Sequence, residues 1–170
     1  MGVHRQLKVL RHLRRPSDLF LALHIFLFAV GLPILLRLKL PRLATWLAPK
    51  NAPATPEPAR IQKIVRYVDV VLQGGRPLVR PGCLTRALTL YYFLSRTGLD
   101  VELCFGMGNI GGTLVGHCWV VKNGEPFLEA RDPRPLFTAI YCLPGERRSR
   151  GSDGHWTGGG PQSDAMSQHD

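Results

Sequence analysis

Apolar positions along the chain fall into three regimes. From residue 19 to residue 36 they are almost continuous, LFLALHIFLFAVGLPILL. From about 58 to 97 they recur at the helical period, and after Asp100 they follow the shorter period of strands. Pro16-Ser17-Asp18 supplies a break and a cap, Ser17 or Asp18, so a helix is predicted to start there and to kink near Pro33. Before it, Leu7, Val9, Leu10 and Leu13 stand at roughly helical spacing among basic residues. A membrane span needs about 20 apolar residues, and this stretch is at the short end and contains His24, Gly31 and Pro33. Basic residues flank it on both sides, so the charge rule gives no orientation. Three readings stay open: a buried or partner-covered helix, a helix lying on a membrane surface, and a span.

Residues 49–58, PKNAPATPEP, read as a Pro-rich linker. A helix is predicted over 58–73, where Ile61, Ile64, Val65, Val68, Val71 and Leu72 keep the 3.6 period and Gly74-Gly75 ends it. A second helix is predicted over 83–97, opened by Pro81-Gly82 and stopped at Gly98, with Leu84, Ala87, Leu88, Tyr91 and Leu94 as its apolar stripe. Strands are predicted over 101–108, 114–122, 126–130 and 138–143. A Gly-rich loop, 109–113, joins the first two, and Asn123-Gly124 is a hairpin signal between the second and third. Beyond Gly145 the chain has little to bury and reads as a disordered tail. The expected division is an N-terminal helical segment 1–50, a linker 51–58, an α+β domain 59–143 and a tail 144–170.

Charge changes the picture in one place. The formal net charge is +10, yet Arg5, Lys8, Arg11, Arg14, Arg15, Arg37, Lys39, Arg42 and Lys50 all precede the linker, against Asp18 alone. The basic balance therefore belongs to the N-terminal segment and not to a nucleic-acid-binding domain, for which no reading motif is present. An anionic membrane surface or an acidic partner suits it at least as well. The four cysteines, Cys83, Cys104, Cys118 and Cys142, include no CxxC pair, so no metal site is expected. Free thiols and no cleavable signal lead to an expected cytoplasmic location, with membrane association left open.

Cys83 follows Pro-Gly at a predicted helix start, where the helix dipole and unpaired N–H groups favour a thiolate and can donate to an oxyanion. By position alone, a small buried hydrophobe is the stronger reading. His117, in GHCWVV beside Trp119, reads by itself first as a satisfied core residue. The hairpin alters that weighing, because pairing about Asn123-Gly124 brings Glu129 near the level of His117. A carboxylate there would hold one ring nitrogen and leave the other for Cys83. Asp132 is the fallback acid; either acid is otherwise a solvated strand end. GMGNIGG lacks both the GK[ST] and the following helix of a phosphate loop, so no directly bound cofactor is expected.

The segment PGCLTRALTLYYFLSRTGLDVELCFGMGN, with GHCWVVKNGEPFLE after it, resembles the transglutaminase-like domain of lasso-peptide leader peptidases, the microcin J25-processing family. The resemblance covers about 80–143, and the basic and apolar stretch at 19–47 is similar to the family's N-terminal part. His-Cys-Trp stands where the family has His-Ala-Trp, and Glu129 where Asp is typical. The resemblance implies an α+β fold of transglutaminase/papain-like type, with Cys83 on a helix N-terminus packed on an antiparallel sheet carrying His117 and the acid. It implies a cysteine peptidase that removes the leader of a ribosomally made precursor peptide. The implied partners are a separate leader-recognition protein and an asparagine-synthetase-like macrocyclase, with any ATP dependence arising through them. A transglutaminase-like acyl transferase or amidase, and a non-catalytic peptide-binding scaffold, are the alternatives.

Overall fold

Pro16 opens the first helix, α1 (Pro16–Leu35), at the position where a missing N–H costs nothing. The computed structural model describes residues 16–49, 55–75, 78–79 and 82–144; the expected helical spacing before Pro16, the first half of the linker and nearly all of the tail lie outside them. Asp18 sits in the first turn of α1 and accepts a hydrogen bond from Lys63 Nζ at 3.1 Å, so this acid ties α1 to a neighbouring helix. The helix ends at Leu35, just past Pro33, whose ring cannot continue the ladder. By length and composition alone α1 could cross a membrane, but Ile25, Phe28, Ala29 and Leu32 are buried in the protein core.

A short helix that the apolar pattern does not announce, α2 (Leu40–Leu47), follows and buries Leu43 and Leu47. Its last turn is held by Arg96, which donates to Leu47 O at 3.1 Å and stacks 3.5 Å over the Tyr92 ring. The two amphipathic helices are α3 (Pro58–Gly74) and α4 (Cys83–Ser95), close to their predicted bounds. Ile64, Tyr67, Val68 and Leu72 of α3 and Leu88, Leu90 and Leu94 of α4 bury against α1, so all three helices share one core.

The strands β1 (Glu102–Ile110), β2 (Thr113–Lys122), β3 (Glu125–Phe127) and β4 (Thr138–Leu143) form one antiparallel sheet in the order β3-β2-β1-β4. The architecture is thus α+β, with the helices packed on one sheet face. Alternation sends Leu103, Cys118, Val120 and Leu143 into the helix-facing core. Cys104, Trp119 and Val121 point to the other face, where Phe137, Ala139 and Cys142 cover them.

Two expectations change here. The expected loop 109–113 is shorter: β1 runs on to Ile110, β2 starts at Thr113, and Gly111 and Gly112, both at positive φ, turn the chain. Nor are all four cysteines free. Cys104 and Cys142 are directly paired across β1 and β4, with Cα atoms 4.1 Å apart, and form a disulfide. Free thiols remain only at Cys83 and Cys118.

Candidate active site

The site is assembled where the start of α4 meets the edge of β2 that β3 leaves uncovered. Cys83 is the first residue of α4 and is exposed to solvent. Gly82 before it has no side chain with which to cap the helix, so the first N–H groups of α4 are not capped from that position. Three residues on, Arg86 reaches in three directions. Its Nε donates to Asp69 Oδ1 of α3 at 3.1 Å, and its Nη1 donates to Leu128 O at 3.0 Å. The same Nη1 stands 3.6 Å from Glu129 Oε1.

Glu129 reaches His117 by a break in the ladder. The register pairs Val120 with Phe127, and continuing it would set Glu129 opposite Cys118. Pairing stops at Phe127 because Leu128 adopts a left-handed φ of 63°. The turned chain brings Glu129 Oε2 to 3.6 Å from His117 Nε2. Both side chains are largely covered, with 18% and 22% of their surface exposed, so this pair is poorly screened by solvent.

The imidazole is held between rings. Trp119 lies nearly parallel to it with centroids 5.8 Å apart, and Phe137 closes on it at 4.9 Å. Two glycines of β1 make room for these neighbours. A Cβ on Gly106, the residue paired with His117, would meet the Trp119 ring at 2.7 Å. A Cβ on Gly108 would collide with Leu136 O, displacing the segment that carries Phe137. The first two glycines of GMGNIGG, Gly106 and Gly108, therefore serve close packing around a histidine, and the last two make the turn.

The structure joins the predicted residues unevenly. His117 and Glu129 are in contact. Cys83 lies on the helix side of the sheet, near Cys118, and no hydrogen bond joins its Sγ to the His117 ring. Cys118 points into the helix-facing core; burial pushes its thiol up, and the negative charges of Cys83 and Glu129 push it the same way. Cys118 is thus kept protonated between those two groups and is not a nucleophile at neutral pH. Asp132 is turned elsewhere: Arg134 grips it through side-chain hydrogen bonds at 2.6 to 2.9 Å, which hold its carboxyl below the usual range. Of the two acids, Glu129 is the one beside the imidazole.

Arg86 is the residue that sequence reasoning passed over. A cation three positions after a helix-initial cysteine, on a helix otherwise without charge, was the available signal. Among the described residues the one group able to gather around a metal is Glu102 with Cys104 and Cys142, and both of those sulfurs are spent on the disulfide. A cavity of about 930 Å³ lies at the far end of α4, against Tyr91, Ser95, Asp100 and Tyr141. At about 1.5 Å per residue its lining residues Tyr91 and Ser95 lie roughly 12 and 18 Å along the helix from Cys83, so it is not part of this site.

A cysteine opening a helix, packed on a sheet that carries a histidine, and an acid beside that histidine just past β3 are therefore present in chain order. No curated protein and no solved structure matches the chain significantly. A family model described as the transglutaminase-like superfamily matches residues 22–142, from within α1 into β4 and so across the whole site. The chain belongs to the transglutaminase-like superfamily.

Proposed function

We propose that the protein is a cysteine peptidase that removes the leader from a ribosomally made lasso-peptide precursor, with Cys83 as nucleophile, His117 as base and Glu129 as the acid that orients it. The observation that carries the catalytic part is the 3.6 Å contact of His117 with Glu129 beside the start of the Cys83 helix. The substrate class rests on the likeness of the Cys83 helix and the GHCWVVKNGEPFLE hairpin to leader peptidases. In this mechanism His117 takes the Cys83 proton, and the thiolate adds to the scissile carbonyl. N–H groups at the start of α4 stabilise the oxyanion. Collapse breaks the C–N bond, His117 protonates the leaving amine, and a thioester remains. Water, deprotonated by His117, then hydrolyses the thioester, releasing the leader carboxylate and the Cys83 thiol. A separate leader-recognition protein would present the precursor, and an asparagine-synthetase-like macrocyclase would use the freed amine, with any ATP consumed by these partners.

A second reading, a non-catalytic peptide-binding scaffold, is favoured by the missing hydrogen bond between Cys83 and His117. Catalytic hydrogen bonds are often long before substrate binds, so side-chain rotation on binding is the step the peptidase reading requires. The test is mass spectrometry of a precursor incubated with the full chain and its partners. Cleavage at one bond, abolished in a folded Cys83→Ala variant, is expected. Cleavage that persists in that variant would refute the mechanism, and no cleavage with the wild type would favour the scaffold.

A further inference from the structure

We propose that the outer face of α1 docks the protein onto an anionic lipid surface, with the helix lying in the interface. Helix α1 is apolar on both sides. Ile25, Phe28, Ala29 and Leu32 enter the core, and Leu19, Phe20, Leu23, Leu27 and Ile34 stand on the opposite side. At about 100° per residue these five fall within one arc of roughly 100°, a stripe running most of the helix length. Phe20 is 72% exposed and Ile34 69%, so among the described residues nothing covers this face. A contiguous apolar stripe of this kind on a soluble surface marks a contact site.

Charge identifies the occupant. The chain beyond α1 continues Leu36, Arg37, Leu38, Lys39, then Arg42, alternating exposed apolar and basic side chains. Among the described residues no carboxylate pairs with Arg37, Lys39 or Arg42. Between Asp18 and Glu57 the sequence contains no acid, and Asp18 is buried against Lys63. Five further cations, Arg5, Lys8, Arg11, Arg14 and Arg15, precede the helix in sequence. An apolar ridge with cations at its end, and no acid among them, matches a lipid interface: acyl chains take the ridge and anionic headgroups take the cations. A crossing helix does not match. Spanning would strip Ile25, Phe28 and Leu32 from α3 and α4 and drag the Asp18–Lys63 pair into hydrocarbon.

The experiment is co-sedimentation of the full chain with phosphatidylglycerol-containing and pure phosphatidylcholine vesicles, at low and high salt. Binding to the anionic vesicles is expected, with clear weakening at high salt as exposed charges are screened. Two variants separate the parts: Leu23→Glu with Leu27→Glu on the stripe, and Arg37→Glu with Lys39→Glu and Arg42→Glu beyond it. Each is expected to lose at least about tenfold in partitioning, since one cation near such a surface is worth about fivefold. Circular dichroism and the melting temperature, unchanged in both, show that the fold is intact. No binding by the wild type would overturn the proposal, as would undiminished binding by the stripe variant, which would leave the basic segment before Pro16 as the sole anchor. Self-association of the free chain through the stripe, without vesicle binding, would overturn it in favour of a second copy. Binding that resists salt and alkaline extraction would overturn it in favour of a span.

Discussion

Arg86 shows how one side chain can set a site it does not open. It lies about one turn beyond Cys83, takes Asp69 as its anchor on α3, and holds both Leu128 O and the Glu129 carboxylate. The left-handed Leu128 and the placing of Glu129 depend on that grip. Arg86→Ala should therefore lower kcat by roughly ten- to a hundredfold, the scale of a small misplacement of a catalytic group. Arg86→Lys should recover only part, because an ammonium cannot serve three acceptors in the fork geometry of a guanidinium. His117→Ala should cost as much as Cys83→Ala, since members of such a unit fail together. Glu129→Gln should cost less, and Asp132→Asn should stay near wild type because Arg134 already occupies that carboxylate. A damaging Asp132→Asn with a silent Glu129→Gln would reverse the assignment of the acid. Cys118 gives a pH signature. Its thiol is raised in the folded protein by burial first and by the charges of Cys83 and Glu129 second. That stability is fully present below the unfolded thiol value, about pH 8.5, and is lost as pH rises above it. The melting temperature should fall with alkalinity beyond that point, and Cys118→Ala should flatten the slope even though it lowers the melting temperature at neutral pH.

At the scale of elements, legibility depended on whether local chemistry or distant contact set the conformation. The Asn123-Gly124 turn was readable because both residues take positive φ, 53° and 81°, as the two-residue hairpin demands. The end of β3 was not: five residues with strand character stop at Phe127 because Leu128 turns left-handed, where its carbonyl accepts a hydrogen bond from Arg86 of another element. Strand character was readable through Gly106 and Gly108, but the reason for glycine there was not: they admit the Trp119 ring and the 136–137 backbone, which other segments bring in. Gly108→Ala should push that backbone away, loosen Phe137 from His117 and lower both stability and activity; unchanged activity with unchanged melting would contradict the close approach. The Cys104–Cys142 bridge was invisible because it depends on β4 pairing with β1, a contact between strands 38 residues apart. Removing it with Cys104→Ala and Cys142→Ala together should destabilise the protein by about 2–4 kcal/mol in denaturant titrations, and an unchanged midpoint under oxidising conditions would show the bridge does not form.

For the whole molecule, the order of the three longer helices and four strands and the α+β class followed from the apolar pattern, but α2 and the role of the first helix did not. A continuous apolar run fits a core, a surface or a span equally, and only the packing of Ile25, Phe28, Ala29 and Leu32 with α3 and α4 shows that one face is built into the core. A chain starting at Ala59 should accordingly expose Ile64, Val68 and Leu72 and aggregate; a soluble, folded fragment would show that α1 is dispensable. The site spans both layers, with Cys83 on the helix layer and His117 on the sheet layer, and catalysis requires chemistry between them. That link is tested most directly by the alkylation rate of Cys83 with iodoacetamide at neutral pH, followed by mass spectrometry in the wild type and in His117→Ala. A Cys83 that reacts far faster than Cys118 and slows at least about tenfold without His117 is the predicted result. A Cys83 whose rate is indifferent to the loss of His117 would contradict the catalytic pairing.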